Sequence, residues 1–116
     1  MKIHMLLLFS FLLLLTACID QPKIKDLPIE MDQLVIIMTD AYVAEAATQN
    51  FTPDIKDSIS EMYYEQIFEI HNVSREEYEQ SLDIIKEYPV VMDTIYSRMT
   101  RYLTALEALD PPKEKK

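Results

Sequence analysis

Few residues in this chain can do covalent chemistry. It has one cysteine, Cys18, and two histidines, His4 and His71. A lone thiol can be a nucleophile, a metal ligand, half of a disulfide or a buried core residue. A metal site needs several ligands, and no second cysteine exists. A disulfide would need a second chain. A core cysteine would not directly follow a run of leucines. The thiolate as a nucleophile therefore remains, and its neighbours indicate its target. Cys18 closes the run Leu15-Thr16-Ala17-Cys18, one aliphatic residue and two small ones. Small side chains let a processing enzyme hold an extended backbone closely.

The residues before it agree. Lys2 gives a short positive start, and Met5 to Leu15 is apolar except for Ser10. That suits the apolar region of a signal peptide, ~7–15 residues long, and falls short of the ~20 that a spanning helix needs. Charged start, apolar run and Leu15-Thr16-Ala17-Cys18 together resemble the bacterial lipobox. The expectation is a leader over residues 1–17, removed on maturation, and lipid on Cys18 in the form of diacylglycerol and palmitate-type chains. A leader cut elsewhere or an uncleaved anchor are the alternatives. Each buried methylene contributes ~0.8 kcal/mol, and two chains hold firmly where one does not. Ile19 follows the cysteine where an aspartate would retain the protein at the inner membrane. The stretch CIDQPK holds a single acid. The expected location is the outer membrane, on its periplasmic face, and no cofactor is expected besides the covalent lipid.

Other chemistry finds little support. After cleavage His71 is the only histidine, and its place near a helix C-terminus suits capping, where a cation favours the dipole. An enzyme reading would join His71 to Glu65 or Glu69 in a pocket; no catalytic residue and no enzyme is expected. Asp54, Asp57, Glu61 and Glu65 could suggest calcium, but calcium loops also use irregular backbone carbonyls. A solvated helix face is the simpler reading, and no metal is expected. Asp40 and Glu45 lie about 140° apart around their helix, so they do not converge; either suits a partly buried hydrogen-bonding role or a partner contact. The chain has no glycine, which removes the usual phosphate-cradling and dinucleotide loops. Its net charge of −9 becomes about −10 without Lys2. No basic stripe exists to neutralise phosphates, so no nucleic acid is expected. The acidity itself serves solubility.

About 99 residues remain after the leader, enough for one small domain. Residues 18–29 hold the lipidated end and a polar tether with prolines at 22 and 28. Extended, its last eleven residues reach ~35 Å. A helical domain is expected over residues 30–109 and a disordered tail over 110–116. The fold class is all-α, a small bundle of about four helices after the signal peptide and short tether. The first helix of that domain runs from about Glu30 to Gln49, with Leu34, Ile37, Met38, Ala41, Ala44 and Ala47 at helical spacing. Its alanines permit close approach, and Asn50 suits a left-handed stop. The second lies between Thr52 and His71, with Ile59, Met62, Tyr63, Ile67 and Ile70 expected inward and Asn72 as its stop. Ser58 and Glu61 offer a competing start.

The third helix begins at a capping box, Ser74 and Glu77, with Val73 and Tyr78 placed as a hydrophobic staple. Tyr78, Leu82 and Ile85 are expected inward. Pro89 stops it, because the residue before a proline is pushed off helical angles. The fourth helix, about Pro89 to Leu109, carries Tyr88, Met92, Ile95, Met99, Tyr102, Leu106 and Leu109 as a heptad seam. That seam suits packing within the domain, or against a second copy as a homo-oligomer. So small a core is marginal. Val35, Ile36, Tyr64, Phe68 and Leu103 fall off the main stripes and form the candidate partner surface. The seven tyrosines suit the domain boundary or an interface.

The leader, MDQLVIIMTDAYVAEAA, YYEQIFEIHNVSREEYEQSLDII and YPVVMDTIYSRM together resemble an uncharacterised family of short lipoproteins of Bacteroidota-type bacteria, a domain of unknown function. In that family the second helix tends to end in a His-Gly turn, where Asn72 stands here. The later turn tends to read Asn-Pro, where Tyr88-Pro89 stands here. The resemblance implies an outer-membrane lipoprotein without established activity. The arrangement of the later helices is also distantly similar to helical domains of periplasmic folding chaperones, a likeness of fold alone. The expected function is a non-enzymatic binding or adaptor module for another envelope protein. The alternative is a chaperone-like holdase for unfolded envelope proteins.

Overall fold

A computed structural model of the chain describes residues 1–14 and 24–110. Leu15, Thr16, Ala17 and Cys18, where lipid attachment is expected, residues 19–23 of the expected tether and the tail from 111 lie outside the described residues. The fold is all-α. Among the described residues five helices follow in order: α1 (Lys2–Leu14), α2 (Met31–Ala47), α3 (Pro53–His71), α4 (Arg75–Lys86) and α5 (Pro89–Leu109). Among the described residues no helix is long and apolar enough to cross a membrane.

Helices α2 to α5 form the expected bundle. α2 is its centre and packs on both α3 and α5, while α4 packs on α5. Leu34, Val35, Ile37 and Ala41 of α2 are buried, because neighbours on two sides need an apolar arc wider than one stripe. They meet Ile67 and Phe68 of α3, Tyr78 and Ile85 of α4, and Val91, Ile95 and Met99 of α5. Full burial of one such side chain contributes about 1.5–3 kcal/mol. Thr39 is also buried, and its hydroxyl donates to the Val35 carbonyl at 2.7 Å, so no polar group is stranded there.

The helix ends follow local chemistry. At α4, Ser74 Oγ accepts from the Glu77 N–H at 3.1 Å, and Glu77 Oε2 accepts from the Ser74 N–H at 2.8 Å. This is the capping box read from the sequence. At the end of α3, Asn72 takes left-handed angles, φ 53° and ψ 46°. The Asn72 N–H bonds the Glu69 carbonyl and the Val73 N–H bonds the Phe68 carbonyl, at 3.2 and 3.0 Å. Those two bonds make a Schellman motif. Tyr88 is pushed to φ −123° before Pro89, and α5 starts without a side-chain cap.

Several expectations are corrected. Asn50 is not the stop of α2: Asp26 and Asn72 are the residues of positive φ among those described. Buried Thr48 closes α2 in right-handed geometry instead, with its N–H and its hydroxyl both on the Glu45 carbonyl. The alternative start at Ser58 is not used, since α3 begins at Pro53. The tether is not free up to Ile29. Ile29 is 2% exposed, and Ile24 and Leu27 pack against the core. The Ile29 N–H donates to Ser81 Oγ at 3.3 Å, which fastens this stretch to α4.

Candidate functional site

α3 carries more apolar residues than one core face can hold. Its core face is Tyr64, Ile67 and Phe68. Tyr64, Phe68 and Tyr78 form an aromatic cluster with centroids 5.3 to 6.5 Å apart. The Arg75 guanidinium lies over Phe68 at 5.4 Å and donates to Glu61 and Glu65 at 2.6 and 2.8 Å. Tyr64 donates its hydroxyl to Glu45 at 2.6 Å. Burial, and then that bond, push the Tyr64 phenol well above its ordinary pKa. Burial also raises Tyr78.

The opposite arc of α3 faces outward. Ile55, Met62 and Ile70 are exposed, Ile70 at 77%. Between this arc and α2 lies an open groove with a volume of about 390 Å³. Val43, Ala44 and Ala47 of α2 line one side, Tyr63, Ile67 and Ile70 of α3 the other, and Leu106 of α5 reaches its edge. The small alanines expected to admit a close neighbour thus leave a hollow. Thr39, Asp40 and Gln66 supply its polar groups.

Asp40 also faces His71. The ring Nε2 stands 2.7 Å from Asp40 Oδ2, with the histidine side chain 17% exposed and the aspartate 42%. The His71 carbonyl accepts from Gln33 Nε2 at 2.9 Å. Both ties join the end of α3 to α2. The arrangement imagined for an enzyme, His71 with Glu65 or Glu69, does not form, because Glu65 points to Arg75. Asp40 takes a half-buried hydrogen-bonding role toward His71, while Glu45 accepts from Tyr64 at an exposed site. No group of three or more metal-ligating side chains assembles among the described residues. A second, smaller cleft of about 190 Å³ lies between α2 and α5, lined by Tyr42, Tyr96, Met99, Thr100 and Leu103.

The candidate surface read from the sequence is only partly outside. Val35 and Phe68, at 4% and 5% exposure, belong to the core. Ile36, Tyr64 and Leu103 are half-buried. Of the residues expected inward on α3, Met62 and Ile70 are exposed instead, and Ile67 alone is buried. The exposed set that matters, Val43, Ile55, Met62, Ile70 and Leu106, was missed. Its signal was the surplus itself: α3 has two apolar arcs, and the richer in β-branched residues is not the one that faces the core. The heptad seam of α5 holds through Met92, Ile95 and Met99, but Tyr88, Tyr102, Leu106 and Leu109 are exposed.

Comparison with curated proteins and with solved structures finds no match for this chain. A family model does match, over residues 26–108, which takes in the docked end of the tether and all of α2 to α4 with nearly all of α5. The chain therefore belongs to the family described as Domain of unknown function (DUF4296).

Proposed function

We propose that this chain is a lipid-anchored, non-enzymatic binding module of the bacterial envelope, whose helical domain docks a segment of another envelope protein. The observation that carries the binding role is the open apolar groove between α2 and α3, with Ile70 almost fully exposed at its wall. Exposed apolar surface that is gathered into a hollow marks an interaction site. The anchoring role rests on Leu15-Thr16-Ala17-Cys18 and the apolar leader before it. Lipid on Cys18 would confine the groove to the membrane surface and raise its effective concentration near partners there. The outer membrane and its periplasmic face are the proposed location.

The experiment has two readouts in the native host. Intact mass should show diacylglyceryl and acyl additions on Cys18, and Cys18→Ser should leave the membrane fraction. Affinity capture should recover a stoichiometric envelope partner that Ile70→Asp releases. An unmodified thiol would end the anchoring role, and a partner insensitive to Ile70→Asp would end the groove's role. A holdase is favoured by one further observation, the second apolar cleft at Tyr42, Tyr96 and Leu103. It predicts weak binding of many unfolded clients in place of one partner.

A further inference from the structure

The binding reading leaves the chemistry of the docked segment open, and α3 narrows it. Ile55, Met62 and Ile70 recur at helical spacing on the outward arc of α3 and are exposed, with half-buried Ile59 and Tyr63 beside them. From Ile55 to Ile70 the stripe runs about 22 Å, the length of a partner helix of about four turns laid in a groove. The charge around it is mostly negative. α2 and α3 hold eight acidic side chains and one basic one, Lys56. Asp40 stands in the groove wall. Glu69 stands two turns from Met62 on the same side of α3 and is exposed. Arg75 is already engaged by Glu61 and Glu65. A second copy would bring the same acidic helices against this face, and like charges there oppose pairing.

We infer that the α2–α3 groove takes a basic amphipathic helix of a partner protein, its apolar face on Ile70 and on the exposed Met62 and Ile55 beside the groove, and its lysines or arginines toward Asp40 and Glu69. This rests on the binding reading above and adds the sign and shape of the ligand. Apolar burial supplies the affinity, and the acidic field steers the approach and sets the orientation.

The test uses the full chain in zwitterionic nanodiscs, with a photoreactive phenylalanine analogue in place of Met62 or Ile70, and in place of Tyr88 as a remote control. Three probes are compared: a Leu/Lys peptide with helical amphipathic spacing, the same residues scrambled, and a Leu/Glu peptide of the same spacing. The expected result is crosslinking of the amphipathic Leu/Lys peptide at positions 62 and 70 and not at 88. It should fall roughly tenfold in 0.5 M salt, because exposed charges are then screened beyond a few ångströms. A double variant, Asp40→Asn with Glu69→Gln, should lower it several-fold while circular dichroism stays unchanged. Equal crosslinking of the Leu/Glu or scrambled peptide would overturn the basic-helix assignment while leaving an apolar groove in use. Crosslinks to a second copy of the chain would overturn it in favour of self-association. No peptide crosslink at either position would overturn both the assignment and the groove's binding role.

Discussion

His71 Nε2 and Asp40 Oδ2 lie 2.7 Å apart across the α2–α3 interface. Gln33 also holds the His71 carbonyl, so two ties join the end of α3 to α2. A hydrogen bond to a charged partner contributes about 1.5–3 kcal/mol when little water competes, and Asp40 is partly solvated, which places this one at the low end. His71→Ala should therefore lower stability by about 1–2 kcal/mol. Asp40→Asn should cost less, since an amide can still accept from the ring. A double-mutant cycle by urea unfolding should give a coupling of about 0.5 kcal/mol or more. Full additivity would show that the two residues act independently.

The turn between α3 and α4 makes a sharper prediction, because two separate devices meet within three residues. Asn72 holds the left-handed angles, which cost a residue with a Cβ about 1–2 kcal/mol. Asn72→Gly should be close to neutral. Asn72→Val should destabilise by about 1–2 kcal/mol, and more than Val at the exposed helical site Ser58. Ser74→Ala removes the oxygen that the Glu77 N–H uses and should cost about 1 kcal/mol. Thermal unfolding measures each; equal effects of glycine and valine at position 72 would refute the conformational account.

Tyr64 and Tyr78 make stability sensitive to alkali. Both phenols are raised in the folded chain, by burial first, and Tyr64 also by its bond to Glu45. An unfolded phenol ionises near pH 10. Their contribution is thus complete below about pH 10 and is lost as pH rises toward the folded values, since the unfolded chain then sheds protons that the folded one keeps. Urea midpoints should hold steady from pH 7 to 9 and fall above pH 10. The double variant Tyr64→Phe with Tyr78→Phe should start lower by about 1 kcal/mol, for the lost Glu45 bond, and fall less steeply. An unchanged slope would place the alkaline sensitivity elsewhere.

Local chemistry was legible in the sequence, and distant geometry was not. Ser74 with Glu77 and Tyr88 with Pro89 set their helix ends through neighbours within a few positions, so no tertiary knowledge was needed. The partner of His71 was not legible, because Asp40 is brought to it only by the crossing of two helices. The core face of α3 was misread for a related reason: periodicity finds an apolar arc but does not say which of two arcs the bundle covers. On α5 the seam continues past its cover. Its 21 residues span about 31 Å, while the 12 of α4 span about 18 Å. Leu106 and Leu109 therefore lie beyond the neighbour that shields Ile95. The tether misled through composition, since two prolines and scattered charge hid the three apolar anchors Ile24, Leu27 and Ile29.

Ser81 decides where the tether ends and the domain begins. It is fully buried in α4, where its hydroxyl donates to the Glu77 carbonyl at 2.7 Å and accepts from the Ile29 N–H at 3.3 Å. Ser81→Ala removes that acceptor and leaves a buried N–H unpaired, a cost of about 1–3 kcal/mol. Ser81→Cys keeps similar volume with a weaker acceptor and should lie between. The cost should also be local. Amide exchange at Ile29 should accelerate well beyond that of Ile95, because the strap can lift while the helices stay packed. Ile29→Ala offers the complementary loss, a cavity at the strap of about 2–4 kcal/mol, without freeing the N–H. If Ser81→Ala instead accelerates exchange equally at Ile29 and Ile95, the strap is an inseparable part of the bundle.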